Sequence, residues 1–310
     1  MNKAIETPGA RTIGAFALAV VFGGANFVGV RFSNGELDPF WGAGLRFSLA
    51  ALTFVVIAFA LRLPWPRGKL LALTAAYGLL SFGLFYALMY WALQRVTAGM
   101  ATVVMAMVPL VTVLLTWGQR LEPLRRSALV GAAVAMAGIV WMTLGEGSVD
   151  LPLTGLLAML AAAVTVGESV ILGKKVSANH PAMTNAVAMV VGAGSLLALS
   201  SVAGERWLLP SQPEVVWSLV YLVTLGSVGL FVLMLLVVRR WTASATSYAF
   251  VLFPVVTMLL EAWLADEPLT LRGVTGALIV MAGVWFGALA PSARHSAPPP
   301  AAAPAPAEVH

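Results

Sequence analysis

A block that occurs twice constrains this chain more than anything else in it. Residues Thr97 to Gly138 return without a gap from Thr242 to Gly283, a displacement of 145 residues (97 to 242) with 15 identities over 42 positions. Both copies begin Thr-Ala, carry a proline twelve residues on (Pro109, Pro254) and then a Glu-Pro-Leu (from Glu122 and from Glu267), and close on Met-Ala-Gly at Met136–Gly138 and Met281–Gly283. An apolar composition raises chance identity, but it does not dictate where prolines and Glu-Pro pairs fall. The chain is therefore an internal duplication.

Apolar residues make up 60% of the sequence and charged residues 10%, on the membrane side of soluble averages of roughly 45–50% and 25%. Apolar runs of about 20 residues, the length a spanning helix needs, predict ten spans: 12–32, 39–61, 69–92, 97–117, 126–145, 153–173, 181–203, 215–238, 243–264 and 271–290. This is an all-α integral membrane protein of two five-helix repeats, 12–145 and 153–290, followed by a Pro/Ala-rich tail over 291–310 that is expected to be disordered. The first span follows Lys3 and Arg11 but contains Asn26 and precedes no cleavage site, so it reads as a retained helix rather than a leader. The chain is surrounded by lipid bilayer and is expected to be a monomer.

Lys and Arg sort sharply between the two sets of loops. Thirteen lie on the side of the N-terminus, including Arg62, Arg67, Lys69, Arg120, Lys174 and Arg239, whereas only Arg31, Arg95, Arg206 and Arg272 lie on the other. Positive loops stay cytoplasmic, which places both termini in the cytoplasm. The same sorting accounts for the net charge of +5 without nucleic acid as a partner. Because each repeat holds an odd number of spans, the second enters the membrane upside down. Inverted repeats recur in secondary transporters, with the substrate site at their interface.

Whole classes of chemistry are missing. Cysteine is absent, there is no phosphate-binding Gly-rich motif of an ATPase, and His180, His295 and His310 all lie outside the spans. No metal cluster or Ser-His-Asp set can be drawn at membrane depth, so the chain is read as no enzyme and as needing no cofactor.

Charged residues inside spans are costly and default to functional hypotheses; they are Arg46, Glu168 and Glu261. Arg46 is either an anion contact in a cavity or a structural partner of Glu168 or of a helix-end carbonyl. Glu168 lies near the repeat equivalent of Asn26, and it either titrates to couple transport to protons or is held neutral by Arg46 or a hydrogen bond. Glu261, near a helix end, is a second coupling candidate that could instead reach water. The proline spans each show one face at helical spacing: Thr102, Met105, Pro109, Thr112 and Thr116 in one, Ser247, Phe250, Pro254, Thr257 and Glu261 in the other. Each proline frees the carbonyl four residues earlier, at Met105 and Phe250, and such faces are expected to look inward onto a substrate pathway. Tyr86 and Tyr248 could contact substrate there or serve packing alone. Gly283-x-x-x-Gly287 permits close helix approach, here expected within the fold.

Phe22-Gly-Gly-Ala-Asn-Phe27 in the first span, Gly44-Leu-Arg-Phe47 in the second and the twice-occurring proline and Glu-Pro block resemble the ten-helix EamA-type carriers of the drug/metabolite transporter superfamily. The resemblance implies two inverted five-helix halves, a cavity between them, and export of small metabolites, often amino acids, in a bacterial inner membrane; the bacterial aromatic amino-acid exporters are the type best known structurally. The expected function is alternating-access export of a small molecule, an aromatic or other hydrophobic amino acid. The alternatives are a nucleotide-sugar or phosphate-ester exchanger, which would need several cations to hold phosphate, and a non-transporting membrane scaffold.

Overall fold

The computed structural model describes residues 10–121, 126–143, 152–176, 179–240, 243–265 and 268–289. They form ten helical segments: α1 (Ala10–Ser33), α2 (Pro39–Ala60), α3 (Gly68–Ala92), α4 (Ala98–Gly118), α5 (Arg126–Thr143), α6 (Leu153–Val176), α7 (Pro181–Ala203), α8 (213–240), α9 (Ala243–Leu264) and α10 (271–289). Seven of them are long and apolar enough to cross a membrane, and shorter apolar helices complete α5, α9 and α10. Glu122 and Glu267, together with the tail 291–310, lie outside the described residues.

Local sequence sets where these helices start and stop. Prolines open α2, α7 and α8 at their first turn, where the missing N–H costs nothing. The Thr97 and Thr270 hydroxyls accept the N–H groups of Met100 (3.2 Å) and Gly273 (3.0 Å), capping α4 and α10. Gly204 ends α7 with φ of 70°, a left-handed conformation that glycine takes without strain.

The pairing of helices has the symmetry of an inverted repeat. Helix α2 packs on its repeat equivalent α7, and α5 on its equivalent α10; α1 packs on α8 and α9 as α6 packs on α3 and α4. Four glycines near the α5–α10 contact show the two-fold at atomic scale. A Cβ on Gly131 would lie 2.4 Å from the Gly283 carbonyl oxygen and one on Gly283 would lie 2.7 Å from that of Gly131, while Gly138 and Gly276 oppose each other's carbonyls at 2.9 Å both ways. Since 131 and 138 become 276 and 283 under the duplication, the two contacts are one contact seen twice. The glycines of the repeated block are retained because only hydrogen fits where the two copies cross.

A second correspondence is absent from any hydropathy pattern. Helix α3 widens into a π segment at Leu79–Leu84 and α8 does so at Thr224–Gly229, again 145 residues apart (79 to 224). A π turn loosens the carbonyl–amide ladder and leaves backbone groups for other partners, and such bulges gather at functional sites.

The prolines of the duplicated block behave differently in the two copies. Helix α4 breaks in a turn at 106–107 and restarts at Val108, with Pro109 in the first turn of the new segment, whereas α9 runs unbroken through Pro254. In α9 the Thr257 hydroxyl is 2.8 Å from the Gly24 carbonyl and 2.9 Å from that of Phe253, so it ties α9 to α1 one turn beyond the proline.

Candidate functional site: a cavity between the halves

Between the two halves lies a cavity of about 200 Å³, walled by α1, α3 and α4 from one half and α6, α8 and α9 from the other. Its lining is aromatic and thioether in character, led by Phe27, Phe82, Phe231, Phe250, Met89 and Met105, with Asn26, Tyr77, Ser81, Tyr86 and Ser169 as the polar members. The two equivalent π segments serve this site, whereas a third, at Trp285–Leu289 of α10, lies away from it. Ser81 and Phe82 of the α3 bulge face the cavity, and the Ser81 hydroxyl is buried without a hydrogen-bond partner. The α8 bulge works one layer behind the wall: the Gly226 carbonyl accepts from Asn26 Nδ2 at 3.0 Å and from Arg46 Nη2 at 3.0 Å.

Arg46 is fully buried on α2. Its Nε donates to Ser227 Oγ at 3.0 Å and its Nη2 also to Asn26 Oδ1 at 3.2 Å, while the guanidinium carbon stands 4.9 Å from the Phe47 ring centroid and 5.0 Å from that of Tyr86. The expected partnership with Glu168 is not formed. Glu168 accepts instead from Gln119 Nε2 at 2.6 Å, at the far end of α4. Helix periodicity explains the miss: Val166, Ser169 and Val170 of α6 face the cavity, and residue 168 therefore points to another side.

Glu261, expected to reach water or to couple protons, is 4% exposed and holds a helix end. Its two carboxylate oxygens accept the N–H groups of Ala98 (2.7 Å) and Gly99 (2.6 Å), the first amides of α4, and one of them also pairs with Arg31. A carboxylate from α9 thus satisfies orphan donors and the positive dipole end of α4. This contact belongs to a set of bonds between the halves on the face that carries the α1–α2 loop. There Glu205 accepts from the Phe40 (3.1 Å) and Trp41 (2.7 Å) amides at the start of α2, and Trp41 stacks on Trp207 with centroids 4.8 Å apart. Glu36 accepts from Ser211 and Gln212 in the α7–α8 loop; those hydrogen bonds, the Ser211 hydroxyl foremost, hold its carboxyl below the ordinary carboxylate value. Asn34 Nδ2 donates to the Tyr90 carbonyl at 2.8 Å on the same face.

Four of the residues singled out from the sequence therefore meet at the cavity wall: Asn26, Tyr86, Met105 and Phe250. Met105 and Phe250 are repeat equivalents (105 to 250), the two positions whose carbonyls the prolines release. Pro109, Thr112, Pro254 and Thr257, expected on the same pathway, do not line this cavity. The Thr112 hydroxyl donates to the Val108 carbonyl at 2.8 Å and faces Gly167 of α6, and Pro254 borders a separate apolar groove between α9 and α10. The Tyr248 side chain lies outside the described residues. Sequence reasoning missed the α8 bulge with Gly226 and Ser227, and the crosslinking role of Arg31. Neither carries a local motif, since the first is a backbone event and the second depends on a partner 230 residues away.

Two inverted five-helix halves around an aromatic cavity, without a metal-binding cluster of His, Cys, Asp or Glu among the described residues, define a membrane carrier. The chain belongs to the EamA-like transporter family, whose pattern it matches twice, over residues 11–144 and 153–288. It is 31% identical to the "Uncharacterized inner membrane transporter YedA" of Escherichia coli K12 over 82% of this chain and 83% of that one. It is 30% identical to a "Probable amino-acid metabolite efflux pump" of Salmonella typhimurium, covering 90% of this chain and 95% of the relative. A protein of known crystal structure shares the fold at 20% identity with a TM-score of 0.63, over 90% of this chain and 97% of that chain.

Proposed function

We propose that this transporter exports an amino acid with an aromatic or other hydrophobic side chain by alternating access, from a bacterial cytoplasm across the inner membrane. The observation that carries this reading is the cavity lining itself: six phenylalanines and two tyrosines with a few hydroxyls, and no charged side chain among the described lining residues. An apolar side chain finds stacking partners there, whereas a phosphate ester would meet no cationic clamp of the kind such ligands require. The names of relatives, an amino-acid metabolite efflux pump and an inner membrane transporter, agree with cargo and membrane. Loop charge orients the chain with the α2–α3 loop in the cytoplasm, so the bonded α1–α2 face is the outer one. The inward-facing part of the wall, with Tyr77, Val170 and Met234, then serves cargo arriving from inside.

The test is counterflow of labelled phenylalanine, leucine and tryptophan in proteoliposomes, with and without a pH gradient. Saturable uptake driven by unlabelled internal amino acid is expected, and Phe250→Ala should lower it about tenfold through lost cargo contact. Absence of counterflow for every amino acid would overturn the proposal.

A further inference from the structure

We infer that the cavity ends, toward the α1–α2 face, in a binding subsite for an organic carboxylate, formed by Nη1 of Arg46 and the hydroxyl of Tyr90. The inference rests on the proposed cargo only in assigning that carboxylate to it.

A guanidinium has five N–H donors, and Arg46 spends three: Nε on Ser227 Oγ, and Nη2 on Asn26 Oδ1 and the Gly226 carbonyl. Nη1 and the Tyr90 hydroxyl are buried and make no hydrogen bond of ordinary geometry, in residues that are both 0% exposed. They face each other closely enough for the Tyr90 oxygen to draw on the guanidinium, which leaves Nη1 at least one unspent N–H. Every oxygen that Arg46 does touch is neutral, and the ion pair recorded among the described residues is the separate one between Arg31 and Glu261. A cation buried without a counter-ion is unfavourable, and unspent donors beside it add to the cost. The arrangement is that of a site waiting for one negative charge.

The subsite adjoins the cavity. Asn26, whose Oδ1 touches Nη2, lines it, and so does Tyr86, whose ring lies under the guanidinium and 6.4 Å from the ring of Tyr90. The guanidinium is thus one side-chain layer behind the wall, and a rotation of Tyr86 about χ1 would bring cargo to Nη1. The chemistry selects a carboxylate. One guanidinium nitrogen and one hydroxyl match a single charge spread over two oxygens, whereas a phosphate dianion would still lack a second cation. The aromatic body of the cargo would then lie among Phe27, Phe82 and Phe250, with its ammonium group toward the free Ser81 hydroxyl.

The experiment is binding to the purified full chain in lipid nanodiscs, using four probes that share one aromatic ring: L-phenylalanine, 3-phenylpropionate, L-phenylalaninamide and 2-phenylethylamine. The two carboxylates are expected to bind at least about tenfold more tightly than the two amines, in keeping with a charge-assisted hydrogen bond. In Arg46→Gln that preference should fall to within about threefold, and in Tyr90→Phe, which keeps the charge and the ring, it should be roughly halved on a logarithmic scale. Should Arg46→Gln fail to fold, the wild-type panel and Tyr90→Phe decide. Amines that bind as tightly as their acids in the wild type would overturn the subsite while leaving amino-acid transport standing. Binding of 3-phenylpropionate without phenylalanine would keep the subsite and overturn the amino-acid cargo, and binding of none of the four would overturn both.

Discussion

Replacing Glu261 with alanine removes the acceptor that closes the first turn of α4. The Ala98 and Gly99 amides, held at 2.7 and 2.6 Å, then lose that acceptor. Each unsatisfied buried N–H costs about 1–3 kcal/mol, and the lost carboxylate charge at a helix N-terminus adds ~0.5 kcal/mol. Arg31, 30% exposed, turns to water and contributes little. The sum is roughly 3–6 kcal/mol, which at about 2–4 °C per kcal/mol corresponds to a fall in Tm of about 6–24 °C. Glu261→Gln keeps one acceptor oxygen and should lose about half as much. The assay is intrinsic tryptophan fluorescence during heating of purified protein in detergent, supported by hydrogen exchange at residues 98–101. A Tm within 2 °C of wild type for Glu261→Ala, or a loss equal for the Gln and Ala variants, would refute the capping argument. Arg31→Ala, by the same reasoning, should shift Tm by no more than about 2 °C.

Further outcomes follow from the same geometry. Gly131→Val places branched carbons where the Gly283 carbonyl and Gly287 Cα already lie within 2.6 Å of a bare Cβ; α5 and α10 must part, and yield of monodisperse protein on size exclusion should fall severalfold. Gly226→Ala would put a Cβ 2.1 Å from Asn26 Oδ1, so it should expel the Asn26 amide from the α8 bulge and reduce counterflow about tenfold while Tm changes by only a few degrees. Glu36 is held below its ordinary value by Ser211 and Gln212, so its contribution is present at neutral pH and is lost as pH falls through that lowered value; acid should therefore speed hydrogen exchange at 211–212, and Glu36→Gln should remove the acid-dependent part.

The fold was largely legible because its signals are periodic and repeated. The apolar runs, and the proline and the closing Met-Ala-Gly of the duplicated block, are local facts that the duplication states twice. The candidate site was legible only in part. Met105 and Phe250 could be found because proline four residues on marks them, and Asn26 because a carboxamide inside an apolar run stands out. The α3 and α8 bulges could not be found, since Leu79–Leu84 and Thr224–Gly229 resemble ordinary helix in composition and differ only in how the backbone ladder is closed. Glu168 and Glu261 misled for a common reason: a carboxylate in a span implies a buried partner but not which one, and Gln119 and the α4 amides are 49 and about 160 residues away in sequence. The structure gives Arg46 a mixed role that neither simple alternative anticipated, tied to α8 by neutral acceptors yet keeping an unspent N–H on Nη1.

The central claim is that the cavity between the halves is the transport pathway and opens to each side in turn. The absence of cysteine from the chain makes a direct measurement available: a single Met105→Cys variant, labelled with a membrane-impermeant maleimide from either side of proteoliposomes. The account predicts labelling from both sides, with cargo amino acid changing the two rates in opposite directions. Labelling from neither side, or from one side at a rate indifferent to cargo, would contradict it.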